Sequence, residues 1–162
     1  SEKMNAVINL LNEKHINYTL IKHPACYTIS DMEKVNINDN GLILKNLFLR
    51  NKKKTKYYLL SCPYNKTLDL KAIAKKLKET NLSFASIEDL AKYLSLKKGS
   101  LTPFGVINDK YHETILVFDK SLTDQNKIGV HPNTNEMTVF LKFNDLITVL
   151  TAYQNKIIYI DL

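Results

Sequence analysis

Apolar and polar positions along the chain alternate between helical and extended periods. Met4, Val7, Ile8, Leu10 and Leu11 fall on one side at helical spacing, so the chain opens on an amphipathic helix. Ile16 to Ile21 alternates with the period of a strand. Ser30 to Val35 reads as a short helix, with Ser30 as its cap and Glu33 three residues later. From Gly41 to Arg50 the sequence is almost continuously apolar, interrupted only by Lys45 and Asn46. A polar turn at Asn51 to Lys54 and a second apolar run from Lys56 to Ser61 then predict a β-hairpin.

Leu70, Ile73, Ala74 and Leu77 mark a helix over Asp69 to Lys78. Another begins at Ser86, with Asp89 three residues on and Leu90 and Leu94 inward. Strand-like stretches follow at Phe104–Ile107, Thr114–Phe118, Met137–Leu141 and Ile157–Ile160, with a helix from Asn144 to Tyr153 between the last two. Strands and helices are interspersed, with no 20–50-residue repeat and no Pro/Gly/Ser linker. The expectation is one domain over residues 1–162, of mixed α/β class, with a central mixed sheet flanked by short helices.

Composition changes this picture little, because 44% hydrophobic and 24% charged residues are ordinary for a globular chain of 162 residues. No apolar run approaches the roughly 18 residues of a membrane span. The opening Ser-Glu-Lys-Met has no apolar segment like that of a secretory signal. Cys26 and Cys62 are too few for a disulfide framework and lack metal-ligand spacing, which fits a reducing, cytoplasmic setting. Charge adds more. A balance of 23 basic against 16 acidic residues, net +7, favours a polyanionic partner such as RNA, although lysine-rich coding bias gives the same excess.

Candidate chemistry concentrates in three places. Lys45 interrupts an apolar strand, and is either an outward-facing strand residue or a functional one, since an unpaired buried ammonium is costly. Asn46 beside it points to the other face. Gly99-Ser100-Leu101-Thr102-Pro103-Phe104-Gly105 is either a connector or a loop aiming backbone groups at a ligand. His131-Pro132-Asn133-Thr134-Asn135 is dense in turn formers, and a structural turn explains it adequately. The chain has only four glycines and four prolines, so their clustering in such segments stands out. Phosphate-binding Gly-rich loops, G-x-S-x-G elbows and His-Glu-x-x-His motifs are absent, and the four histidines are scattered. Neither a metal nor a cofactor is expected.

Taken in order, His23-Pro24, Lys45-Asn46-Leu47-Phe48-Leu49-Arg50, Asp69-Leu70-Lys71, Leu82-Ser83-Phe84-Ala85, Gly99 to Asp109 and Gly129 to Asn135 resemble the YbaK/ProX superfamily of aminoacyl-tRNA editing domains. The Lys-Asn-Leu-Phe-Leu-Arg, Thr-Pro-Phe-Gly and His-Pro-Asn-Thr-Asn spellings are similar to the branch that deacylates alanyl-tRNA(Pro). The Lys-Thr-Leu and Ser-Pro-Leu-Gly of the cysteine-specific branch are missing. The resemblance implies a trans-editing deacylase in which Lys45 positions the substrate carbonyl or a nearby phosphate. No protein nucleophile is implied, because the vicinal ribose hydroxyl helps to activate water. It also implies that Gly99, Ser100, Leu101, Thr102, Pro103 and Gly105 hold the aminoacyl and adenosine ends. Asn46, Tyr27, Ile29 and His131 are implied to line the pocket, His131 as a wall or hydrogen-bond donor rather than a base. A small cavity would admit alanine and exclude proline by steric overlap. The implied partners are the acceptor end of tRNA(Pro), met by lysines among Lys52–Lys54, Lys71–Lys78 and Lys97–Lys98, and prolyl-tRNA synthetase. The competing expectations are a deacylase for cysteinyl-tRNA(Pro) or another small aminoacyl-tRNA, and a non-catalytic tRNA-binding domain excised from a prolyl-tRNA synthetase.

Overall fold

The computed structural model describes residues 2–162, so only Ser1 of the expected domain lies outside it. Among the described residues no helix is long and apolar enough to cross a membrane. In chain order the elements are α1 (Glu2–Glu13), β1 (Tyr18–Lys22), α2 (Ile29–Lys34), β2 (Leu42–Asn51), β3 (Tyr57–Pro63), α3 (Leu70–Lys76), β4 (Leu82–Phe84) and α4 (Ile87–Leu94). After a 3-10 turn at Pro103–Asn108 come β5 (Thr114–Asp119), β6 (Ile128–Val130), β7 (Met137–Leu141), α5 (Phe143–Thr151) and β8 (Ile157–Ile160).

The strands form one mixed sheet in the order β1-β7-β6-β2-β3-β5-β8, with β4 also paired to β2. The predicted hairpin is β2–β3, antiparallel from Leu44↔Pro63 to Arg50↔Tyr57. Its turn is held by Asn51, whose Oδ1 accepts from the N–H groups of Thr55 and Lys56. β3, β5 and β8 run parallel.

Alternation along β2 divides the core. Leu44 and Phe48 enter the larger cluster with α1, α4, α5 and the 3-10 turn. Leu47 and Leu49 face the opposite side, beneath α3, and Ile43 on that side packs with Met32 of α2.

Three details depart from the sequence expectations. Phe104–Ile107 is a 3-10 turn rather than a strand: Pro103 starts it, and the Thr102 hydroxyl caps it by accepting from Phe104 N–H. Its apolar residues are buried by tertiary packing, which mimics a strand's hydrophobic run. Helix α2 is capped by Thr28, not Ser30. Thr28 Oγ1 accepts from Asp31 N–H, and the Asp31 carboxylate accepts from the Tyr27 and Thr28 N–H groups, closing a reciprocal box. Finally β4 and β6, three residues each, are too short to show a period.

A buried polar knot ties the 3-10 turn to β5 and the segment before β8. The Asp109 carboxylate accepts from Thr114 N–H at 2.7 Å and from Asn155 Nδ2 at 2.8 Å. Asp109→Ala leaves the Thr114 N–H without its partner and Asn155 Nδ2 with only the Thr114 carbonyl, and is expected to cost about 3 kcal/mol, measured by urea unfolding. A loss under about 1 kcal/mol would show that the knot does not hold these segments.

Candidate active site

Strand β2 has β3 along one edge, while its other edge is shared by two short strands. β6 covers Leu42–Ile43 and β4 covers Leu49–Asn51. Between them, Leu44 to Phe48 has no strand partner on that edge among the described residues. A cavity of about 560 Å³ occupies this gap. Because it lies at a break in the sheet, side chains from both faces of β2 line it, including Lys45 on one and Asn46 on the other. Helix α2 and the preceding Cys26–Thr28 form one wall, and the β4–α4 junction forms another. Lys98, Gly99, Leu101 and His131 complete the lining. The volume lies within the usual range for small-molecule sites.

Asn46 is held at both ends of its amide. Ser61 Oγ, directly across the hairpin, donates to Asn46 Oδ1 at 2.6 Å, and Asn46 Nδ2 donates to the Leu101 carbonyl at 3.3 Å. The Gly99–Gly105 loop is thereby tied to the strand. The Thr102 hydroxyl donates to the His131 carbonyl at 2.6 Å and ties the same loop to the third unusual segment. Three segments far apart in sequence therefore meet through Asn46 and Thr102.

The expected pocket residues separate into two groups. Tyr27, Ile29, Lys45, Asn46, Gly99, Leu101 and His131 line the cavity. Ser100, Thr102, Pro103 and Gly105 do not: Ser100 lines a second cavity of about 490 Å³ on the other side of the loop. Thr102, Pro103 and Gly105 are buried in support. A Cβ on Gly105 would meet Leu96 Cδ1 at 2.8 Å, so a larger residue there would have to displace the buried Leu96 side chain. Gly99 is more constrained. Its φ of +88° lies in the left-handed region, and a Cβ would stand 2.6 Å from Tyr27 Cδ1. Of the lysines expected to meet the tRNA, only Lys98 lines the cavity; Lys52–Lys54 form the hairpin turn and α3 carries Lys71, Lys75 and Lys76.

Lys45 is half-buried on the strand face opposite Asn46, and its ammonium donates to the Lys66 carbonyl. Lys66 is itself tethered by an ion pair to the buried Asp119 carboxylate at 3.1 Å. An ammonium has three N–H donors, so one backbone bond leaves capacity for a ligand. The nearby thiols are poor nucleophiles. Burial pushes Cys62 up to about 11, with the Lys45 charge opposing it only in part. Burial, and then the Asp31 charge, also raise Cys26, which donates to the Pro24 carbonyl. Both remain protonated near neutrality.

His131 Nδ1 lies 2.8 Å from the Met137 carbonyl, which can only accept, so this nitrogen carries the proton. Nδ1–H is therefore a donor to that carbonyl, and the neutral ring keeps Nε2 as an acceptor. Burial, against the Met137 hydrogen bond and with the nearby His23 ring, lowers its pKa. His23, at 6.1 Å between ring centroids, is engaged by the Pro24 carbonyl and the Thr138 hydroxyl.

Over residues 23–149 the sequence matches the family described as the aminoacyl-tRNA editing domain. The chain belongs to that family. It is 46% identical over 157 residues to the prolyl-tRNA editing protein ProX of Acetoanaerobium sticklandii, covering 97% of this chain and 96% of that protein. It is 29% identical over 147 residues to the prolyl-tRNA synthetase associated domain-containing protein 1 of Danio rerio, covering 90% and 79%. A crystal structure described as a candidate trans-editing enzyme for prolyl tRNA synthetase shares the fold. Its TM-score is 0.75 at 19% identity, over 100% of this chain and 97% of that one.

Within this editing domain, sequence reading gave no site role to Ser61, Lys66, Ile87 or, although it lies in a quoted motif, Phe84. Ser61 and Lys66 reach the site only through cross-strand and loop contacts, which leave no local pattern.

Two outcomes follow. Gly99→Ala should cost about 1–3 kcal/mol in urea unfolding, and Tyr27→Ala should recover part of that loss. Additive costs would show that the ring does not constrain the loop. For His131, a lowered folded pKa means that the unfolded chain binds the extra proton first as pH falls below about 6.5. Stability should decline from there toward pH 5, with a shallower decline in His131→Gln. Equal slopes would assign the acid sensitivity elsewhere.

Proposed function

We propose that this editing domain hydrolyses the ester of mischarged alanyl-tRNA(Pro) in trans, releasing alanine and intact tRNA. The observation that carries the reading is the convergence of Lys45, Asn46, Gly99 and His131 on one cavity in a member of the aminoacyl-tRNA editing family. The 46% identity to a prolyl-tRNA editing protein supports proline tRNA as the carrier. Prolyl-tRNA synthetase, named in relatives, is the source of the mischarged substrate and a partner in this reading.

The aminoacyl end enters between α2 and β2, where Cys26, Ile29, Met32 and Ile43 provide a close apolar wall. A methyl side chain fits such a wall, and the bulkier proline ring is excluded by overlap. Lys45, anchored on the Lys66 carbonyl, directs its remaining donors to the ester carbonyl or an adjacent phosphate and stabilises charge developing on oxygen. Water adds to the carbonyl carbon as the vicinal ribose hydroxyl helps to remove its proton. The acyl C–O bond then breaks, alanine leaves as a carboxylate, and the ribose oxygen regains a proton. Protonated Cys26 and Cys62, and a Ser100 that lines a different cavity, are consistent with a route that uses no protein nucleophile.

The test is hydrolysis of alanyl-, cysteinyl- and prolyl-tRNA(Pro) in parallel. Alanine should be released fastest and proline spared, with Lys45→Ala lowering kcat/KM by about 10²–10³-fold in a folded protein. Preferential loss of cysteine would reassign the substrate. Binding of tRNA with no turnover of any ester would make the domain a binding module, and full activity of Lys45→Ala would remove the lysine from the mechanism.

A further inference from the structure

We propose that Phe84, flanked by Ile87, is a stacking platform for the nucleobase of the 3′-terminal adenosine of the RNA. This rests on the reading that the aminoacyl end of a tRNA occupies the cavity. Five large hydrophobic side chains are notably exposed among the described residues: Tyr27, Phe84, Ile87, Tyr111 and Tyr159. Three of the five, Tyr27 at 63%, Phe84 at 60% and Ile87 at 57%, lie on the lining of this one cavity. Leu82, two residues earlier in the same strand, is buried under α3 with Leu49. Phe84 sits on the same strand face yet remains open to solvent.

The exposure is not that of a loose loop. Ala85 N–H donates to the Phe48 carbonyl at 2.8 Å, which fixes the end of β4 against β2. Ser86 Oγ accepts from Asp89 N–H and starts α4 immediately afterwards. Phe84 and Ile87 are therefore presented by a pinned strand end and a capped helix start. A rigid ring can stack with little ordering cost.

Charge indicates which part of the RNA lies here. The first turn of α4 carries Glu88 and Asp89, which disfavour a phosphate at this end of the cavity. Lys98, the basic residue on the loop wall, is the better neighbour for a phosphate. An uncharged aromatic base suits Phe84 and Ile87, and aromatic stacking accepts a base without reading its edges. Connectivity points the same way. With the ester inside the cavity, the base joined to the same ribose lies one sugar ring away, at the mouth.

The experiment measures binding of two uncharged acceptor-stem hairpins, one ending in CCA and one ending in CC, to the wild type and to Phe84→Ala, Phe84→Leu and Phe84→Trp. For the wild type, removal of the terminal adenosine should weaken binding about tenfold, within the range of a single base–aromatic stack. In Phe84→Ala the two hairpins should bind alike. Phe84→Trp should keep the preference for CCA, with its fluorescence quenched by that hairpin, and Phe84→Leu should lose most of it. An equal CCA preference in wild type and Phe84→Ala overturns the platform. So does retention of the preference in Phe84→Leu, which would make the patch a generic apolar surface. If both hairpins bind equally while alanyl-tRNA is hydrolysed, only the platform fails. If neither hairpin binds and no ester is hydrolysed, the functional reading fails with it.

Discussion

The site depends on an interruption in strand pairing. Along β2, the edge opposite β3 is taken by β6 at one end and β4 at the other, and neither reaches the middle. An unpaired stretch of strand inside a sheet is normally a liability, because its N–H and C=O groups need partners. Here the break becomes the floor of a cavity, walled by α2 on one side and by the β4–α4 junction and the Gly99 loop on the other. Had strand pairing continued through this stretch, the sheet would have closed over the place where Lys45 and Asn46 meet solvent.

Once the gap exists, a short set of polar contacts shapes it. Ser61 fixes the Asn46 amide, Asn46 holds Leu101, and Thr102 holds His131. Each hydrogen bond is worth only about 1 kcal/mol net, but an unmade one at a half-buried site costs more, so the chain favours one arrangement. On the opposite strand face, Lys45 is the only charged residue of β2 between Gly41 and Leu49 and is steadied by the Lys66 carbonyl. The pair of Lys66 with Asp119 makes that carbonyl a fixed acceptor. Fixed positive charge beside thiols that burial keeps protonated suits stabilisation of an anionic oxygen better than nucleophilic attack.

Much of this was legible in the sequence. The β2–β3 hairpin, the Ser86-capped helix and the strands at β5, β7 and β8 follow from local periodicity, because each buries a face whose period the chain itself displays. Lys45 and Asn46 stood out because a polar pair within an apolar run is costly without a purpose. The family was legible for a different reason: several short motifs fell in one order along the chain, and order survives where no single motif is specific.

Tertiary structure alone decided the rest. Phe104–Ile107 has a strand's apolar content, but Pro103 and the Thr102 cap turn it into a 3-10 segment whose Phe104 and Val106 are buried. Three-residue β4 and β6 have no readable period, so the gap they leave in β2 could not be read either. Which residues of the Gly99 loop face the cavity and which support it depends on Asn46 and His131, partners more than 25 positions away in sequence. The sequence alone determined the element types, the family and the polar residues that needed a reason, since these rest on local pattern and motif order. Only the packed structure decided that those residues share one cavity, because pairing length and long-range contacts leave no periodic trace in the chain.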